Sequence, residues 1–278
     1  MNDFILLMWK PLLACLVLTG IHGYLGIHVV ERKVIFVDLA LAQVAALGAT
    51  IAFLFGLDLH GPATYWFSLA ATFLGAVIFS LTRNRREKVP QEAVIGIVYA
   101  VSAALAILIL SRSAEGDEHI RFMLVGNILL VSVPEIIEMA ILYALVGLFH
   151  WRNRKTFILI STQPEEAYRR GLPVRFWDLL FYLAFGLVVT SSVQIAGILV
   201  VFSFLVIPAV AAILFSEKFS DRLLFGWTFG ALASFLGILL SYYLDLPTGA
   251  AAVCASGGSL LLISLVTLFS GGKRTIRG

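Results

Sequence analysis

Apolar residues run along this chain in long unbroken blocks rather than in alternation or as single stripes. Nine blocks approach the roughly 20 residues that a helix needs to cross the bilayer core. They are Phe4–Val30, Val34–Leu57, Ala63–Leu81, Ala93–Leu110, Ile128–Phe149, Phe176–Ser192, Ala196–Phe215, Leu223–Leu244 and Ala250–Phe269. Strands of a membrane barrel would read instead as alternating segments of about 10 residues. The pattern therefore predicts an all-α polytopic membrane protein with about nine transmembrane helices. Lys10-Pro11 interrupts the first block, and Pro134 and Pro208 interrupt two others. Such breaks are tolerated in a membrane where neighbours satisfy the freed backbone groups.

Composition agrees with the pattern. The chain is 60% hydrophobic and 13% charged over 278 residues, whereas soluble domains carry about 25% charged residues. A soluble fold of this length would expose large apolar patches. A disulfide scaffold, a disordered chain and an ordinary soluble enzyme are excluded on the same ground. The net charge of +3 is too small to suggest a nucleic-acid partner. The two cysteines, Cys15 and Cys254, lie in apolar runs and read as small buried hydrophobes. The N-terminal stretch lacks the basic start and cleavage site of a removable signal.

The placement of the charges says more than their sum. When the connecting segments are numbered alternately, one side receives all but three of the 20 Lys and Arg. The exceptions are Lys10, Arg112 and Arg121. Cytoplasmic loops carry the Lys/Arg excess. The expected topology puts the N-terminus outside and the C-terminus in the cytoplasm of a plasma (inner) membrane, with residues 1–278 as a single transmembrane domain. The opposite loops are short and lean acidic, with Asp58, His60, Glu115, Asp117, Glu118, His119 and Asp245.

The longest basic-side connection, His150–Arg175, contains a segment of a different kind at residues 161–173. Ser161 or Thr162 reads as a helix start before Pro164, Glu165 and Glu166, with Ala167 and Tyr168 following. Arg169 and Arg170 fall in the last turn, Gly171 is a C-terminal cap and Pro173 a stop. A short amphipathic helix parked at the membrane face is either a surface connector or a docking element for a soluble partner.

No nucleotide-binding loop, H-E-x-x-H or C-x-x-C occurs. No catalytic residue and no cofactor bound by this chain are expected. Ionisable groups inside spans are functional candidates by default. The second span offers Asp38 and Gln43. The fifth offers Asn127, Glu135 and Glu138, and the two carboxylates, three apart, share a helix face. Two carboxylates on a buried face would suit a divalent cation or a shared proton, or would form an interior cluster at the proline break. Asp38 lies near the basic end and could instead pair with Arg32 or Lys33. His22 and His28 are six apart, near opposite faces, and each reads as a packed histidine. Small residues (Ala40, Ala42, Ala45, Ala46 and Gly48, then Gly186, Gly197, Gly226, Gly230 and Gly237) favour close helix packing.

These motifs, in this order, resemble the ABC-3 family, the membrane permease subunits of ATP-binding cassette importers for manganese, zinc and iron. Glu31-Arg32-Lys33-Val34-Ile35-Phe36-Val37-Asp38 resembles the family's Arg-Arg-x-x-Phe-x-Gly-Asp entry to the second helix. Gly126-Asn127 with Pro134-Glu135 resembles its Gly-Asp…Thr-Pro-Glu stretch. Pro164 to Leu172 resembles its cytoplasmic coupling helix. Val193-Gln194-Ile195-Ala196-Gly197 to Leu205-Val206-Ile207-Pro208-Ala209 and Asp245-Leu246-Pro247-Thr248-Gly249 resemble two further signatures. The resemblance implies a homodimeric pore carrying a divalent metal inward. It also implies a separate ATP-binding subunit docked at Pro164–Gly171, and an extracytoplasmic solute-binding protein. The family commonly places a histidine four residues after the second-helix aspartate; here that residue is Ala42, with Gln43 beside it. Either other residues (Glu135, Glu138, His22) then supply the site or this branch moves another cargo, and the path candidates are Asp38, Gln43, Glu135 and Glu138. The buried carboxylates alone would also fit an autonomous proton-coupled carrier or channel.

Overall fold

A computed structural model of the chain describes residues 2–58, 61–83, 89–111 and 124–269. The loop residues His60, Arg85, Arg86, Lys88, Arg112, Glu115, Asp117, Glu118, His119 and Arg121, and the tail residues Lys273, Arg274 and Arg277, lie outside the described residues. Among these residues eleven α-helices follow in order: α1 (Asn2–Glu31), α2 (Val37–Leu54), α3 (Pro62–Thr82), α4 (Gln91–Leu110), α5 (Val133–Arg152), α6 (Arg154–Thr162), α7 (Pro164–Arg169), α8 (Val174–Ala196), α9 (Ile198–Phe215), α10 (Phe219–Leu244) and α11 (Thr248–Phe269). A 3-10 turn, Ile128–Leu130, precedes α5. All of these but α6 and α7 are long and apolar enough to cross a membrane, giving nine candidate spans among the described residues.

Three boundaries differ from the sequence pattern. Helix α1 runs unbroken through Pro11. The fifth span starts at Val133, not Ile128, because Ser132 caps it. The Ser132 amide and hydroxyl donate to Glu135 Oε2 at 2.7 and 2.6 Å, and the Glu135 amide donates to Ser132 Oγ at 3.4 Å. This reciprocal capping box makes Pro134 a first-turn residue and not a break. Pro208, by contrast, does lie inside α9. The third difference is at α7: its N-cap is Gln163, while Ser161 and Thr162 end a separate helix, α6.

The spans hold together by packing, since lipid offers helices no hydrophobic reason to associate. Helices α2 and α8 are the most enclosed, and α4, α5 and α11 the least. The core joins Leu18 and Leu25 of α1, Leu41 of α2, Phe79 of α3, and Phe181 and Phe185 of α8. Cys15 is buried in this core, but Cys254 is exposed on α11, against expectation; neither is in a disulfide. Alanines fill the α2 faces because a larger side chain would push α3 and α4 away.

The two ends of the bundle are built differently. At one end the chain passes between helices by close backbone crossing. Gly126 (φ 65°) and Gly197 (φ 78°) face each other, and a Cβ on either would come within 2.3 Å of the other's amide nitrogen. The Asn127 amide donates to the Ile195 carbonyl at 3.2 Å. The Asp245–Gly249 turn joins them there: Asp245 takes a left-handed conformation as the cap of α10, and Gly249 approaches the Val125 carbonyl. The other end collects basic residues, as Arg32, Arg83, Arg175 and Arg222 converge on the ends of α1, α3, α8 and α10.

Candidate functional site

The segment expected to dock a partner is built from a helical pair on the basic end. Helix α6 buries Phe157, Ile160 and Ser161 against the bundle. Helix α7 buries only Ala167, in a small apolar cluster with Ile160 and Val174, flanked by Leu172 and Trp177. Its C-terminus closes as a Schellman motif. The Leu172 amide donates to the Ala167 carbonyl and the Gly171 amide to that of Tyr168, both at 3.1 Å. This closure needs the left-handed backbone that Gly171 supplies at φ 71°. The polar face turns outward. Glu165, Arg169, Arg170 and Gly171 are exposed. Glu166 pairs with Arg169 at 2.6 Å and with Arg170 at 2.8 Å. The hydrogen bond from Arg170, with the Arg169 charge beside it, holds the Glu166 carboxyl below the usual carboxylate range. Of the residues expected to dock a partner, Glu165, Arg169, Arg170 and Gly171 are exposed and Pro164, Glu166 and Tyr168 half-buried, while Ala167 is buried as part of the apolar base.

The path candidates are not brought together. Asp38, in the first turn of α2, is buried at 1% exposure. Neither of its carboxylate oxygens has a hydrogen-bond partner. The Arg32 pairing that the sequence allowed does not form, because Arg32 turns to another acid. Gln43 is also buried, about 140° around the helix from Asp38. Glu135 and Glu138 are exposed on α5 rather than buried. Glu135 serves the capping box, so the buried carboxylate pair expected there is absent. Among the described residues, no three of His, Cys, Asp and Glu gather as a metal-binding set. Ser132-x-x-Glu135 is itself a legible capping signature, and it places Glu135 at a helix start.

Two clusters were not singled out from sequence. His22, Tyr143 and Ser192 meet inside the bundle, with Tyr143 Oη 2.5 Å and His22 Nε2 3.3 Å from Ser192 Oγ. The larger cluster is charged. Asp178, fully buried near the start of α8, accepts from Arg32 at 2.5 Å and from Arg83 at 3.1 Å. Arg32 Nε also donates to Ser161 Oγ at 2.8 Å, and His28 Nδ1 lies 2.8 Å from the same hydroxyl. The Arg32 guanidinium stacks 4.0 Å from the Phe181 ring centre. Arg32 and Arg83 count in the sequence as loop charges. Asp178 was overlooked although an acid inside an apolar stretch is itself a signal.

A bundle of nine helices long and apolar enough to cross a membrane, among the described residues, defines a multi-pass membrane protein. The chain belongs to the ABC 3 transport family, which it matches over residues 5–267. It is 30% identical over 249 residues to the manganese transport system membrane protein MntC of Listeria monocytogenes, covering 88% of this chain and 85% of that one. It is 28% identical over 265 residues to a probable iron transport system membrane protein of Haemophilus influenzae, covering 95% and 90%. Its fold matches PsaBC from Streptococcus pneumoniae, solved in complex with Fab, with a TM-score of 0.77 over 95% of both chains at 23% identity.

Proposed function

We propose that this chain is the membrane-spanning permease subunit of an ATP-binding cassette importer that moves a divalent metal ion, with manganese, iron or zinc as the candidates, into the cell across the plasma (inner) membrane. The observation that carries this reading is the exposed face of α7 on its buried base: a surface helix packed by one alanine, closed by a capped end and presenting an ion-paired polar face. In this reading a separate ATP-binding subunit docks on Pro164, Glu165, Glu166, Ala167, Tyr168, Arg169, Arg170 and Gly171, and hydrolyses the ATP. The basic end then faces the cytoplasm. An extracytoplasmic binding protein delivers the ion to the opposite end, and two copies of the chain form the pore.

Asp38 is the leading path residue. A buried carboxylate with no donor facing it is a set of hard oxygen ligands available to a passing cation. Glu135 and Glu138 look out of the single chain from α5, where a pore shared between two copies could use them. Gln43 is the weaker ligand, since an amide binds transition metals less well than imidazole. The autonomous-carrier reading loses its main support, because the carboxylate pair that would relay protons is not buried.

The test is reconstitution in vesicles. The purified permease alone should give no Mn(II) uptake, and addition of the co-purifying ATP-binding subunit with ATP, and of the binding protein on the opposite face, should restore it. Uptake by the permease alone under a proton gradient would overturn the proposal.

A further inference from the structure

The buried charges at the basic end are arranged around Arg32 in a way that packing does not require. One carboxylate, Asp178, holds two guanidiniums, so the group keeps a surplus positive charge inside the protein. Buried ion pairs of this kind can be replaced by apolar residues without loss of stability. Their placement is more informative. Arg32 follows the last residue of α1 and enters a tight turn, with Lys33 at φ 58° and the Val34 amide returning to the Val29 carbonyl at 3.2 Å. That turn leads within a few residues to Asp38. Ser161, bonded to Arg32, lies three residues before the start of α7. Asp178 lies on α8, beside Trp177, which packs on the α7 base. The strand of chain entering the docking helix and the strand leaving it therefore both terminate on a single side chain.

We propose that Arg32 is a positioning residue that couples the docking helix to the α1–α2 turn carrying Asp38. It does so by bridging Ser161 before α7 and Asp178 after it. The bridge uses two different nitrogens, Nε to Ser161 and Nη1 to Asp178, at 2.8 and 2.5 Å. A relative shift of α6 and α8 by more than about an ångström breaks one bond or drags the turn, since hydrogen bonds tolerate little stretching. Arg83, just past the end of α3, donates to the same oxygen, Asp178 Oδ1, at 3.1 Å, so the carboxylate keeps a second tether while Arg32 responds. Lys at position 32 could meet Asp178 but lacks the planar fork that reaches both partners. This inference rests on the permease reading above.

The experiment uses the full permease reconstituted with its ATP-binding subunit and supplied with the binding protein, with Mn(II) as the transported probe. Ions moved per ATP hydrolysed are compared for wild type, Arg32→Met, Arg32→Lys and Ser161→Ala. Arg32→Met leaves a balanced Arg83–Asp178 pair, and Ser161→Ala removes the α6 branch together with the His28 contact on the same hydroxyl. The expected result is continued ATP hydrolysis with the ratio lowered roughly fivefold or more in both Arg32 variants, and lowered less in Ser161→Ala. Subunit co-purification is retained, and the thermal midpoint stays within about 4 °C of wild type. A wild-type ratio in Arg32→Met and Ser161→Ala overturns the inference. So does a fall in uptake matched by an equal fall in assembly, which marks a structural role only. Absence of ATP-driven uptake by the wild-type complex is a different outcome and counts against the permease reading itself.

Discussion

Asp38 and Glu135 are both acids in the first turn of a helix, where the dipole favours negative charge, but their surroundings give them different work. Asp38 is enclosed with no donor to hold it, while Glu135 spends one oxygen on the Ser132 amide and hydroxyl. Asp38→Ala should therefore abolish most Mn(II) uptake with the complex still assembled, as measured by initial rates in vesicles. Glu138→Ala should lower uptake as well, and wild-type kinetics in both would move the path elsewhere. For Glu135 the expectation separates charge from capping. Glu135→Gln keeps the acceptor that the box needs and should leave stability unchanged, while Glu135→Ala should cost about 1 kcal/mol in thermal unfolding. If Glu135→Gln loses uptake at full stability, its charge serves the path.

Helix α7 is too short to be stable alone, because a helix of one or two turns gains few backbone bonds for its nucleation cost. It persists because Ala167 seats on Ile160 and Val174, and because Gly171 and Leu172 close its end. Its exposed ion pairs add little to folding, so changing them should disturb docking rather than structure. Glu166→Lys and Arg170→Glu should each weaken co-purification of the ATP-binding subunit and uncouple hydrolysis, while helical content by circular dichroism stays at the wild-type level. Normal transport and complex formation in both would refute the docking role.

Across the whole molecule, the two ends carry opposite designs: tight glycine crossings at one, charges and a helical pair at the other. Gly197→Ala would put a Cβ 2.3 Å from the Gly126 amide nitrogen, and neither backbone can withdraw without displacing α8 or α9. Loss of the folded, detergent-stable protein is expected, seen as aggregation in size-exclusion chromatography. Sidedness is testable at the same scale. In a cysteine-free background, Lys155→Cys should react with a membrane-impermeant thiol reagent only from the cytoplasmic side. Asp245→Cys should react only from the outside. The reverse pattern would invert the topology.

The existence and number of spans were legible in the sequence because a bilayer imposes a length and an apolarity on each one, and nothing local can disguise twenty apolar residues. Helix α7 was legible for a similar reason: Pro164, the acids after it and Gly171 are local signals for a start and a stop. Where the sequence reading missed, the deciding contacts were distant or the local signal was ambiguous. Ser161 looked like a cap and is an internal partner of Arg32, 129 positions away. Arg32 and Arg83 looked like loop charges, and Asp178, 146 positions from Arg32, went unremarked; only the fold gathers them. Glu135 and Glu138 share a helix face as their spacing requires, but which way that face points is a property of how α5 sits on its neighbours. The sequence by itself determined what each segment is, because bilayer and backbone act on each segment locally. Which side chains meet was decided by the tertiary structure, because burial and pairing depend on helices that the chain brings together only after they form.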